Sequence, residues 1–443
     1  MIQKLTNNNN FSRFPLYQSF ILNIILVNYS FIQMDKFTFF EINKIAIILI
    51  FVNLLFSYLI YKKFVMISNS PLFYVINFAI FQFLNINKIS DKYFWNTIPD
   101  SNSYRLLGES FWNCGKLALD CNSESFLQWP LGQPMISGFL SIFFYQYAKY
   151  IYVLLFSFSI YLLLQLAYKN FGNYYHFGAF YFFLLPNNYE LSSFIISEIP
   201  YIFFTAVGLF FLKNKKNNIT LLIFIISFLI RPIGVVNLIG YFIYLLIKKE
   251  KKQIIKSLLV AILVLNLIAT YNYSLNGKFI ISETVSTNIA NDAVEKNMNL
   301  KNFIFNLSND ENQLFITQNL QRLYGAGSRD CVFEYCVIYN PLFTEDGTVP
   351  DLIPKNNVAG YTVNIFLSEL FKIGSPLGVW VYLPFTYIFL LRKKNSFDNL
   401  ILFLFLSNIF LSILTAEYGS RWWLLPNLLS IYLLSNLIYK IKH

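Results

Sequence analysis

Histidine is almost missing from this chain: His176 and His443 are the only two. Ser–His–Asp hydrolysis, Cys–His catalysis and histidine-rich metal sites therefore lack their central residue. Acid–base chemistry falls to carboxylates. Charge is scarce as well, at 13% of residues, where a soluble globular chain carries about 25%. So little charge does not cover a water-facing surface for 443 residues. There is no glycine-rich phosphate loop and no clear internal repeat, and cysteine occurs four times.

What is abundant is apolar sequence. Hydrophobic residues make up 56% of the chain, and mean hydropathy is +0.50. The composition predicts an all-α polytopic membrane protein. Apolar runs long enough to span lie near 17–33, 43–61, 70–86, 149–167, 174–186, 190–212, 219–232, 234–247, 254–272, 376–391, 398–415 and 423–439. That pattern corresponds to about 11–13 transmembrane helices. The opening MIQKLTNNNNFSRF is polar and basic. It carries no small-residue cleavage site after a short apolar core, so the first span is expected to direct insertion.

The net charge of +11 is gathered in short clusters between the apolar runs. Lys62 and Lys63, Lys169, Lys213 to Lys216, Lys248 to Lys256, Arg392 to Lys394, and Lys440 and Lys442 all fall on one side of the predicted topology. The positive-inside rule makes that side cytoplasmic and speaks against a nucleic-acid partner. Five regions follow: N-terminal spans over 1–86, a first extracytoplasmic loop over 87–148, a central bundle over 149–272, a large extracytoplasmic loop over 273–375, and C-terminal spans over 376–443. Within the first loop, the apolar stretch 133–148 reads as a helix lying on the outer leaflet.

Cys114, Cys121, Cys331 and Cys336 all lie in the two outer loops. Disulfides form in oxidising compartments, and Cys114–Cys121 with Cys331–Cys336 is the simplest pairing. Trp95, Trp112, Trp129, Trp380, Trp422 and Trp423 also fall at or near this outer face. An interfacial belt is one reading of them, and stacking platforms for sugars are another.

The outer-face carboxylates are Asp100, Glu109, Glu190, Glu198 and Glu417. Glu198 stands inside an apolar run, where an ionisable group is functional or paired. The plainer reading of Glu198 is a structural pair with an arginine. Arg231, before the helix-breaking Pro232, and Arg421, at the start of the last span, both sit at the outer boundary. Their planar forks match a phosphate, although snorkelling to ordinary phospholipid explains either one alone.

These residues resemble, in order, the motifs of the GT-C superfamily of membrane glycosyltransferases. An acidic motif with a tyrosine, PDSNSY, runs from Pro99 to Tyr104 in the first outer loop. A proline-bearing stretch, WPLGQPMISGFL, ends that loop. SEIPYIFF then places Glu198 near the outer end of a middle span, with an Arg-Pro pair closing a later one. EYGSRWWLLPNLL looks like the family's terminal segment. The match departs from some relatives at Ser101, which follows Asp100, and at Gln128 and Gln133, which flank Pro130. No Asp-x-Asp is found, and the branch of the family stays open.

The resemblance implies an inverting transfer of a sugar from a polyprenyl-phosphate donor at the extracytoplasmic face of a bacterial plasma membrane. The acceptor would be a lipid-linked glycan, a protein or a lipid. Asp100 would be the catalytic base. Glu198, Glu190 and Glu109 would position the acceptor, and Arg231, Arg421 and Arg105 would hold the donor phosphate. No cofactor is required by this reading, and it leaves a divalent cation open. Tyr104 is expected to pack rather than react. Two rivals remain: a polysaccharide polymerase using Arg322 and Arg329, and a transporter or lipid-sugar flippase.

Overall fold

The computed structural model describes residues 70–87, 90–96, 99–118, 130–184, 196–277, 395–414 and 424–442, together with the single residues 121, 279 and 281. The expected spans 17–33, 43–61 and 376–391 lie outside these. So do nearly all of the loop 273–375 and Trp129, Trp380, Trp422 and Trp423.

Every regular element among the described residues is helical. In chain order these are α1 (Ser70–Ile86), α2 (Asp91–Asn96), α3 (Pro99–Cys114), α4 (Gly132–Phe144), α5 (Ala148–Phe171) and α6 (Tyr175–Leu184). Then follow α7 (Glu198–Lys213), α8 (Asn217–Ile230), α9 (Val235–Ile247), α10 (Lys251–Asn276), α11 (Ser396–Leu414) and α12 (Leu424–Lys442). Apolar surroundings offer no water to backbone N–H and C=O groups, and a helix satisfies both internally. Three stretches are long and apolar enough to cross a membrane: Ala148–Phe183, Lys251–Leu275 and Leu424–Lys442. Shorter apolar helices accompany them.

Helix ends follow local chemistry. Pro200 is tolerated because it lies in the first turn of α7, where its missing N–H is needed least. Pro232 forces the residue before it out of the helical region. Arg231 is accordingly extended, with φ −149° and ψ 130°, and α8 stops there. Gly277 closes α10 in the left-handed conformation, its N–H donating to Tyr273 O.

The core is built around α5 and α12. α12 packs on α5, α6 and α11, and α5 also meets α1 and α7. Aromatic rings fill these seams: Phe171 and Phe397 both meet Tyr432 edge-on, and Tyr74 stacks on Phe183. α10 lies at the periphery, with Leu259, Leu263 and Leu267 each more than 60% exposed. A face that apolar is suited to hydrocarbon rather than water.

The bundle has two chemically distinct ends. At one, Lys169, Lys213 and Lys442 lie over the rings of Phe210, Phe397 and Tyr174, and Tyr432 donates to Asp398 at 2.8 Å. At the other, Lys149 pairs with Asp91 at 2.9 Å, and the Tyr271 hydroxyl donates to Gly115 O, near the end of α3. The described basic clusters therefore share one end.

The stretch read as the loop 87–148 is not irregular where it is described. It folds into α2, α3 and α4. α3 and α4 pack backbone to backbone in antiparallel fashion, because a Cβ on Gly108 would overlap Pro134 O and the Gly138 backbone. α4 is polar inward and apolar outward. Gln133, Ser137 and Ser141 are buried, while Phe139, Ile142 and Phe143 are exposed. An apolar outward face of this kind suits contact with lipid. Gly108→Ala and Gly138→Ala should each cost about 1–3 kcal/mol of stability. Because both act on one contact, their effects should fall short of additive in thermal unfolding of the purified protein.

Candidate functional site

The described candidate residues lie on elements at the end of the bundle opposite the lysines. α3 begins at Pro99, so Asp100 stands in its first turn. Proline favours that place, and free N–H groups at a helix start favour an anion. The motif expected in a loop is thus carried on a helix. The position of the Asp100 side chain lies outside the described atoms.

One turn further on, Arg105 donates to Asn102 Oδ1 at 2.9 Å and pairs with Glu109 Oε1 at 3.5 Å. Ser141, from α4, also donates to Glu109 Oε1. The i,i+3 and i,i+4 spacings put these partners on one face. Arg105 and Glu109, expected to serve the donor phosphate and the acceptor separately, are partners of each other. Their side chains stay 24% and 28% exposed, so a phosphate or hydroxyl can still reach them. Such a half-exposed pair contributes about 0.3–0.5 kcal/mol and costs little to open.

The tryptophans divide. Trp95 is 1% exposed, with its indole N–H directed to Tyr145 O, so it does not serve as a sugar platform. Trp112 is 44% exposed. Its N–H donates to Met135 O at 2.8 Å, which fixes the ring against α4. Tyr104 is buried, as expected of a packing residue. Cys114 and Cys121 are joined, with Cα atoms 5.7 Å apart. Cys331, Cys336, Glu190, Glu417, Arg421, Arg322 and Arg329 lie outside the described residues.

The second acidic position is the most enclosed. Glu198 opens α7, Arg231 ends α8, and the two form an ion pair. Glu198 is 3% exposed and Arg231 8%. The extended backbone at Arg231, imposed by Pro232, lets the chain turn there while the guanidinium meets Glu198. Arg231 was expected at headgroup depth beside a donor phosphate, and Glu198 beside an acceptor. Their mutual pairing makes the plainer structural reading of Glu198 part of the answer. Burying two charges is costly, and only close pairing offsets it.

Beneath this pair runs a seam of neutral polar groups. Tyr201 donates to Asn408 Oδ1 at 3.3 Å. Asn237 Nδ2 donates to Thr205 Oγ1 at 2.8 Å and to Ser227 Oγ at 3.0 Å. The seam ties α7, α8, α9 and α11 together. Sequence reasoning missed it, although a signal was there: Tyr201 and Thr205 lie three and seven residues after Glu198, and Ser227 lies four before Arg231.

α4 links the two acidic positions. Its Gly132 lies so close to α8 that a Cβ would stand 2.8 Å from Leu229 O. Its Ser141 reaches Glu109 at the opposite end of the helix. Gln133, next to Gly132, donates to Tyr152 Oη at 2.8 Å and Ser137 Oγ at 3.0 Å. Among the described residues, no three His, Cys, Asp or Glu side chains gather where they could hold a metal ion.

Glu198→Ala or Arg231→Ala alone should destabilise the protein by about 3–5 kcal/mol, because each leaves a buried charge uncompensated. The double variant Glu198→Leu/Arg231→Met should recover most of that loss in thermal unfolding. Recovery of stability without recovery of activity would mark the pair as functional, and recovery of both would mark it as structural.

Comparison with family models, curated proteins and solved structures gave no match. The candidate site is therefore defined by its own residues: Asp100 on α3, Arg105 with Glu109, and the buried pair of Glu198 and Arg231.

Proposed function

We propose that the chain is a GT-C-type membrane glycosyltransferase with about 11–13 transmembrane helices. It would move a sugar from a polyprenyl-phosphate donor to an acceptor hydroxyl at the extracytoplasmic face. The observation that carries the reading is that α3, which bears Asp100, and the Glu198–Arg231 pair both lie at the bundle end away from the lysines, linked through α4.

In this reading the Asp100 carboxylate accepts the proton of the acceptor hydroxyl. The acceptor oxygen bonds to the anomeric carbon as the bond from that carbon to the phosphate oxygen breaks. The lipid phosphate leaves with the electron pair, and one displacement inverts the configuration. Charge develops on the departing phosphate and needs fixed cations. Arg105 is half-exposed and available to it. Arg231 is held by Glu198, so a phosphate reaching it must compete with that carboxylate. Glu198 then serves to hold the otherwise isolated guanidinium in place and to balance its charge. Glu109, held by Ser141, orients Arg105.

A transporter reading is favoured by one feature, the buried polar seam from Tyr201 to Ser227. Its members are neutral, however, where ion and proton pathways use ionisable groups. Asp100→Asn should lower sugar transfer by at least about 100-fold, with membrane expression unchanged, assayed with purified donor and acceptor. Transfer near the wild-type rate would remove Asp100 from the mechanism. Loss of a transported solute with transfer intact would favour the transporter.

A further inference from the structure

The lysine end of the bundle is more organised than a bias in charge requires. Two turns meet there: residues 214–216 join α7 to α8, and 248–250 join α9 to α10. Asn217 Nδ2 donates to Glu250 Oε2 at 2.9 Å, and Gln253 Nε2 donates to Asn218 Oδ1 at 3.0 Å. The Tyr241 hydroxyl also donates to Asn217 O at 3.2 Å. These bonds stitch together segments that lie far apart in sequence.

The stitching gathers Lys215, Lys216, Lys248, Lys249, Lys251 and Lys252, all of them exposed. Lys248 is also near enough to the half-buried Lys213 for their charges to repel. Glu250 is the one acid within these turns, and it already accepts a hydrogen bond from Asn217.

The backbone supplies a second, independent observation. Lys215 and Lys249 have φ of 61° and 58°, the only non-glycine residues in the left-handed region among those described. Glycine or asparagine adopts that conformation with less strain. In both turns the strained position is held by a lysine.

Exposed apolar side chains border the same lysines: Leu246, Ile247 and Ile255 are 61%, 49% and 62% exposed. Cations rimmed by acyl-compatible surface fit a phosphate that carries hydrocarbon better than a free anion. We propose that the two turns form one binding surface for the headgroups of anionic phospholipids. Among the described residues, Glu250 is the one acid within the two turns, so six exposed lysines there have little counter-charge of their own. A lipid phosphate provides it, while the neighbouring leucine and isoleucines cover its chains. The inference rests on the bundle spanning a membrane and is independent of the sugar-transfer reading.

The test uses the purified full chain in mixed micelles and titrates phosphatidylglycerol or phosphatidylcholine. Lipid retention is read by native mass spectrometry and stability by thermal unfolding. Phosphatidylglycerol should be retained and should raise the unfolding temperature; phosphatidylcholine should do neither. Lys248→Gln/Lys249→Gln/Lys251→Gln/Lys252→Gln should weaken phosphatidylglycerol retention at least tenfold. Lys215→Gly/Lys249→Gly should unfold at a higher temperature in phosphatidylcholine, since strain is relieved, yet bind phosphatidylglycerol less well. That second variant carries the test if the first does not fold. Equal retention of the two lipids, or unchanged phosphatidylglycerol binding in the folded variant, would overturn the proposal. So would inorganic phosphate that displaces the lipid at equal concentration.

Discussion

The meeting of Glu198 with Arg231 is the constraint around which the centre of the bundle is arranged. Two ionised groups are nearly fully enclosed, and each is tolerable only because the other is there. To bring them together, α7 must start and α8 must end at the same level. Pro232 enforces the second condition by stopping α8 at Arg231. Thr205, Ser227 and Asn237 then knit α7, α8 and α9 below the pair, and Tyr201 with Asn408 adds α11. A neutral seam of this kind binds helices where hydrophobic burial between them contributes little, since surrounding lipid is as apolar as the packed side chains.

Close backbone approach does comparable work at the same end. Gly108 against Gly138 leaves no room for a side chain, so α3 and α4 behave as one unit. That unit carries Asp100 in its first turn and ends at the disulfide-bonded Cys114. A residue at the start of a helix braced by a second helix has a better-fixed backbone than one in a loop. The outward face of α4 is apolar and the inward face polar. The same unit therefore carries an acidic residue at one helix start and an apolar face suited to lipid.

Much of this was legible beforehand. Eight of the predicted spans, 70–86, 149–167, 174–186, 219–232, 234–247, 254–272, 398–415 and 423–439, coincide with helices to within a few residues. The end of α8 at the Arg-Pro step and the Cys114–Cys121 pairing were also readable from sequence. Within 87–148 a helix was expected over 133–148, but α2 and α3 were not, because residues 87–118 interleave polar and apolar residues without a clear period. The burial of Trp95 was hidden for a different reason. Its environment comes from Tyr145, fifty residues away.

Composition and local spacing thus determine that this chain is rich in apolar helical segments and where most of its described helices lie. They do so because backbone satisfaction and hydropathy are properties of short segments. Which carboxylate meets which arginine was decided only by the tertiary structure. Glu198 and Arg231 are separated by a whole helical hairpin, and Arg105 stands between two acids, Asp100 five residues before it and Glu109 four after. Pairing between segments depends on where helices cross, and that is set by glycine contacts, proline breaks and the polar seam acting together.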